Sequence, residues 1–430
     1  MTKGTFRALR HRNFRLFFGG QLISLVGTWM QNIAQSWLVY RLTGSALLLG
    51  LVGFAGQAPV FFLATLGGAV ADRRARRDVL LVTQTTAMLL ALALAALTLP
   101  GLVRTWHVFV LASALGVVNA FDIPARQAFV VEMVGKEDMG NAIALNSSMF
   151  NGARILGPSV AGLLVASIGE GWCFAANGAS FLAVIAGLAA MRLPEFVPRP
   201  VSARPLAHAA EGFRFVARTP PVRAILLLLG VVSVTGMPYA VLMPIFADQL
   251  LHAGARGLGI LMGSSGVGAL GGALVLASRH GAQGLGRWVA TAAGAFGAAL
   301  VLFSLSRSLW LSAVLLVPVG ASMMTQMAAS NTLVQTMTPD NLRGRVMAVY
   351  AMTFMGMAPM GALLAGAAAH RIGAPATVAT GGVVSILGAL VFASRLPSLR
   401  VRARELIVSE QLAGGDPADE MTGTEMGDKE

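Results

Sequence analysis

The chain has 430 residues, of which 56% are hydrophobic and only 12% charged. Soluble domains carry about 25% charged residues, so this composition excludes an ordinary water-soluble fold and makes the lipid bilayer the main solvent. The net charge of +13 is read as basic cytoplasmic loops of a membrane protein, not as a nucleic-acid surface, and the single cysteine, Cys173, excludes an internal disulfide or a cysteine-rich metal site.

A spanning helix needs about 20 mostly apolar residues. Such runs lie near 16–40, 46–70, 78–100, 105–125, 141–165, 172–192, 222–246, 256–278, 286–306, 309–330, 346–369 and 374–395. The expected fold is all-α and integral to the membrane, with twelve transmembrane helices in two six-helix halves. The N-terminal half is 1–191, the cytoplasmic linker 192–221, the C-terminal half 222–395 and an acidic, disordered cytoplasmic tail 396–430. Residues 1–15 are basic, but the apolar run after them is longer than a signal-peptide core, so no cleaved signal is expected.

With the N-terminus in the cytoplasm, 26 of the 32 basic residues fall in inside segments and five outside, and Arg154 alone lies within a span. That bias predicts an even number of spans and cytoplasmic termini. In the linker, His208–Arg218 is expected to form a short amphipathic helix on the membrane surface.

The halves resemble each other. A shift of 204 residues carries Gly140, Gly152, Gly157 and Gly162 onto Gly344, Gly356, Gly361 and Gly366. Parallel repeats of this kind enclose a central site that opens alternately to each side.

The densest charge knot is Asp72-Arg73-Arg74-Ala75-Arg76-Arg77-Asp78, between spans 2 and 3. Together with Gly68 it resembles the loop signature of the major facilitator superfamily: a glycine, an aspartate four residues on, then a basic cluster. Ala75 stands where that family usually has glycine, and the second-half counterpart near Gly271 has lost its aspartate. Phe6–Arg15, Asp122–Gln127 and Asn151–Gly162 resemble the bacterial exporter branch that includes the enterobactin exporter and macrolide efflux proteins. The last of these holds Gly157, Pro158 and Gly162, a partial form of the Gly-Pro motif that the superfamily associates with export.

The resemblance implies a secondary transporter in a bacterial inner membrane, working as a monomer and exporting a small amphiphilic molecule in exchange for protons. Uptake carrier, uniporter and transport-dead membrane sensor or assembly partner are the alternatives. The resemblance also implies a latch, with Asp72 facing the N-terminus of a neighbouring helix and Arg76 or Arg77 pairing with Asp122. Cavity-lining spans 1, 4, 7 and 10 make Asn32, Gln35, Asn119, Tyr239 and Gln326 the candidate substrate contacts.

Arg154 is costly in a membrane and a functional candidate for that reason. It is either a structural pin, bonding backbone carbonyls or Asn119 and Asn151, a contact for an anionic substrate, or a charge whose pairing changes between states. No carboxylate lies near mid-membrane, which leaves Asp122 and Asp248 as candidate proton carriers. No phosphate-binding loop is present, and no metal or cofactor is expected.

Overall fold

The computed structural model describes residues 6–135, 137–193, 205–278 and 284–413. After a 3-10 turn at Arg7–Arg10 the helices are α1 (Arg12–Thr43), α2 (Ala46–Arg73), α3 (Arg76–Thr98), α4 (Thr105–Val134), α5 (Met139–Ile168), α6 (Glu170–Ala189), α7 (Pro205–Arg218), α8 (Pro220–Leu250), α9 (Gly254–Ala277), α10 (Leu285–Leu305), α11 (Leu309–Thr336), α12 (Asp340–Met355), α13 (Ala358–Ile372) and α14 (Ala374–Ala413). No strand occurs among the described residues. Among the described residues, eleven helical segments are long and apolar enough to cross a membrane, the pair α12–α13 counting as one. The other long helix, α1, buries the amides of Gln21 and Gln31 among its apolar residues, and these polar groups lower its hydropathy.

Local chemistry fixes the ends. Gly44 terminates α1 in the left-handed region, at φ 60°, where glycine has no Cβ penalty. Ser45 then caps α2 by accepting from the Leu48 amide at 3.3 Å. Ala75 sits at φ −57°, ψ 118°, a conformation open to any L-residue, so the basic turn does not need the glycine its family usually places there.

The helix pairs recur. In the first half α2 packs on α4, α3 on α4 and α6, and α1 on α6; in the second α9 packs on α11, α10 on α11 and α14, and α8 on α14. The single thiol, Cys173, is buried in the first turn of α6.

Three expectations are corrected. Span 11 is broken at Gly356–Met357, with Pro359 in the first turn of α13; proline cannot donate to the preceding turn but is at home at a helix start. Span 7 contains two π turns, at Val232–Gly236 and Phe246–Leu250. The last helix continues through Ala413 rather than ending at 395, because Leu396, Leu399 and Ala403 recur at helical spacing and pack on the core. Residues 414–430, the rest of the expected disordered tail, lie outside the described residues.

The linker helix α7 lies against α12, where Glu211 pairs with Arg345.

Candidate functional site

The two halves touch through α2 against α13 and α5 against α9. Both crossings are close because glycines meet backbone. A methyl group added at Gly162 would lie 2.6 Å from Gly259 Cα, and one added at Gly50 would lie 2.5 Å from the Ala362 carbonyl oxygen. These crossings sit at the end of the bundle that carries the Gly44, Gly169 and Gly373 turns.

Toward the other end, which carries the basic turn, the halves part. On α2 the residues Gly50, Gly53, Gln57 and Phe61 form one stripe at helical spacing, and this stripe continues to Gly68 and Asp72. Gly53 and Phe61 still touch the second half, at Ala362 and Gly356, whereas a methyl at Gly68 would meet nothing within 4 Å. Gly152 on α5, Gly271 on α9 and Gly344 on α12 are equally open.

Just inside the closed end, between the halves, lies a cavity of about 240 Å³. Its lining includes Trp29 of α1, Gln57 of α2, Arg154 and Pro158 of α5, Tyr239 of α8, Ser265 of α9 and Met323 of α11. The π turn at Val232–Gly236 and Pro238 lead into this wall, and such turns recur at functional sites. The Tyr239 and Ser265 hydroxyls share a hydrogen bond of 2.7 Å. Arg154 lies over the Trp29 ring, 5.8 Å from its centroid, and its Nη2 is 3.9 Å from Met323 Sδ. Gly157 makes room for this arrangement, since a methyl there would lie 2.4 Å from Trp29 Cβ.

Of the other candidate contacts, Asn32 and Asn119 line a separate space of about 100 Å³ inside the first half, between α1, α3, α4 and α6. Gln35 is half-buried on α1 and lines neither cavity. Gln326 is buried and also away from both, with its amide nitrogen unpartnered. A bond from Arg154 to Asn119, one of the open readings of Arg154, is not formed here, because the two residues face different cavities.

Asp122 does not pair with Arg76 or Arg77. It is 1% exposed and accepts from Thr83 Oγ1 at 2.8 Å and Gln84 Nε2 at 2.7 Å. It also pairs with Arg126, one helical turn along α4. With its amide turned to satisfy both groups, Gln21 accepts from Arg126 Nη1 at 2.7 Å. The reason is reach: Asp122 faces α3 and α1 inside the half, while the basic turn lies beside the last turns of α4. There Arg76 pairs with Glu132 and lies 3.8 Å from Asp72. Arg77 donates to the Ala189 carbonyl at 3.0 Å, and Arg73 and Asp72 are exposed.

Asp248 accepts a hydrogen bond from the Tyr40 hydroxyl at 2.7 Å, across the two halves at the closed end. Sequence reasoning missed Tyr40. Its signal is rarity, since the chain has three tyrosines and the third, Tyr350, also bonds, to the Met327 carbonyl at 2.8 Å. It also missed Asp138, which is 2% exposed and held by Arg7 at 3.3 Å, Arg10 at 2.8 Å and His11 Nε2 at 2.8 Å. Bonding to His11, then the charges of Arg10 and Arg7, holds its carboxyl below the usual range. The exporter-like segment Phe6–Arg15 thus docks the start of the chain onto the α4–α5 turn.

A bundle of long apolar helices in two contacting halves, with a cavity between them, defines a multi-pass membrane transporter of the major facilitator type rather than an enzyme. The profile of the transmembrane secretion effector family matches residues 3–420, and the chain belongs to that family. It is 30% identical over 385 residues to the multidrug efflux pump Tap of Mycolicibacterium fortuitum, covering 87% of this chain and 93% of the relative. Identity to the staphyloferrin A transporter of Staphylococcus aureus is 24% over 384 residues, covering 88% and 95%. Identity to the enterobactin exporter EntS of Escherichia coli is 28% over 387 residues, covering 89% and 91%. Among solved structures, the nucleoside transporter NupG superposes with a TM-score of 0.71 at 13% identity, over 90% of this chain and 99% of that one. A bacterial homologue of the lysosomal transporter Spinster, in an inward-facing form, gives 0.64 at 14% identity, over 93% and 98%.

Proposed function

We propose that the chain is a twelve-span exporter that moves a small amphiphilic molecule out of a bacterial cytoplasm by alternating access. Both termini and the basic turn are cytoplasmic in this reading, following the bias of basic residues. The observation that carries it is the central cavity, sealed at one end by the Gly162–Gly259 and Gly50–Ala362 crossings and parted at the other. The described conformation is then the inward-open one. The residues Gly68, Asp72 and Arg73 become a latch when the cytoplasmic end closes, since Gly68 and Asp72 lie on the α2 stripe that faces the other half. Relatives named as an efflux pump and an enterobactin exporter support the outward direction.

Protons are the proposed driving ion, and Asp248 is the preferred carrier over Asp122. Only a group whose surroundings differ between the two states couples to the transition. The Asp248 partner Tyr40 belongs to the other half, so opening that end changes its environment. The bonds of Asp122 to Thr83, Gln84 and Arg126 all lie within one half. The chain carries both halves of the cavity, which supports a working monomer.

The test is substrate accumulation in cells with and without the gene, across a panel of drugs and secreted metabolites. Lower accumulation with the gene supports export; higher accumulation supports uptake; no change with any compound removes the transport reading.

A further inference from the structure

We propose that the central cavity selects amphiphilic anions, with Arg154 holding the anionic head and the Trp29 and methionine wall taking the apolar body. This rests on the transport reading and names the substrate class of the same site.

Three observations converge. First, Arg154 is the one charged residue of the lining, which contains no aspartate or glutamate. No ion pair to a carboxylate forms at Arg154 among the described residues, although seven arginine–carboxylate pairs form elsewhere among them. A cation kept in a low-dielectric cavity without a counter-ion is expensive, and an anion entering the cavity removes that cost.

Second, its present contacts are soft. A ring face at 5.8 Å and a thioether at 3.9 Å are weak partners for a guanidinium built to grip carboxylate or phosphate through paired donors. Both yield to an anion without leaving a polar atom stranded. Neutral donors stand in the same wall, at Gln57, Tyr239 and Ser265. The Tyr239–Ser265 pair has one hydroxyl hydrogen to spare, because two hydroxyls sharing one bond use only one donor.

Third, the rest of the lining is Met237, Met262 and Met323 with Trp29 and small apolar residues. Methionine adapts to irregular apolar shapes, so this wall tolerates varied bodies while Arg154 fixes the sign of the head. A cationic amphiphile would meet Arg154 with no carboxylate to neutralise it, and like charges placed together suppress wrong partners.

The test uses three probes that share one apolar body: 1-naphthylacetate, its methyl ester and 1-naphthylmethylamine. Binding is measured by equilibrium dialysis to the purified full chain in phosphatidylcholine nanodiscs. The expected order is anion, then ester, then amine. Arg154→Gln is expected to weaken naphthylacetate about ten- to hundredfold, the worth of a hydrogen bond to a charged group, and to leave the ester unchanged. Arg154→Lys is expected to fall between.

Amine binding equal to or tighter than the anion, or no naphthylacetate binding that depends on Arg154, overturns the proposal. If Arg154→Gln does not fold, the rank order on the unaltered chain decides alone. Loss of naphthylacetate binding when phosphatidylglycerol is added overturns the small-molecule assignment in favour of a lipid headgroup. Flux of the same probes into proteoliposomes is read separately. Arg154-dependent binding without flux removes the transport reading and leaves anion selection standing, whereas flux that favours the amine does the reverse.

Discussion

The Tyr40 hydroxyl donates to Asp248 Oδ2 at 2.7 Å, joining α1 of one half to α8 of the other where the bundle is closed. A hydrogen bond to a charged group contributes about 1.5–3 kcal/mol. Losing it in the closed state alone moves the equilibrium toward opening by about ten- to hundredfold. Tyr40→Phe is therefore expected to raise the labelling rate of a cysteine introduced at this end. The one native thiol, Cys173, is buried and gives a low background. An unchanged rate would mean that the bond carries no bias.

Gly162 and Gly259 meet backbone to backbone, with a methyl at either position lying 2.6 Å from the other's Cα. Overpacking of this kind costs about 1–3 kcal/mol, and here the cost falls only on the closed end. Gly162→Ala is expected to part that end and slow transport, with membrane abundance retained. Distances between spin labels on α5 and α9 report the parting directly.

Asp122 is buried and pairs with Arg126, which is 23% exposed, inside the first half. Leaving a buried charge without its partner is strongly destabilising, whereas removing both is far milder. Asp122→Asn is expected to lower the thermal midpoint of the purified protein, and the double variant with Arg126→Gln to recover part of the loss. A proton carrier would behave differently, losing coupling while keeping its midpoint.

Asp72 is exposed in this conformation, with Arg76 of the same half 3.8 Å away. Asp72→Asn is expected to leave insertion and midpoint intact while cutting transport severely, because its proposed partners in the other half form only when the basic end closes. Normal flux by a fully expressed variant would remove the latch.

The Asp138 cluster has a definite pH dependence. Its carboxyl is held below the usual range, mainly by His11 and then by Arg10 and Arg7. A depressed acid contributes its stabilisation fully above the unfolded value of about 3.9. The contribution is lost only as pH falls through the lower folded value. The docking of the first residues is thus expected to hold through neutral and mildly acidic pH and to fail below about pH 4. Asp138→Asn should release the segment at every pH, read as faster tryptic cleavage at Arg7 and Arg10.

Much of the fold was legible because lipid imposes one rule, that backbone polar groups be paired within helices. Apolar run lengths therefore located every long helix. What they could not locate were breaks set by single residues, such as the Pro359 restart or the π turns flanking Tyr239. The site was legible in kind and not in pairing. Arg154 announced itself by its cost, and Tyr239 by its span. Asn32, Asn119 and Gln326 do not line the central cavity in this conformation, because span number does not say which face of a helix meets it. In this conformation Asp122 pairs with Arg126, an i to i+4 relation that was in the sequence all along, whereas the pairing with Arg76 or Arg77 was expected of the state in which the basic end is closed.

The parted end of the bundle is also its most basic one, with Arg73, Arg74, Arg76 and Arg77 at the α2–α3 turn and Arg343 and Arg345 on α12. A mouth with an excess of one sign of charge draws oppositely charged solutes to it and speeds their capture. Raising ionic strength shortens the reach of that attraction to a few ångströms. Half-saturation of flux for an anionic cargo would then rise with salt, while the turnover rate of the loaded carrier stayed the same. The loops that fix how the chain sits in the bilayer would also govern how quickly it fills.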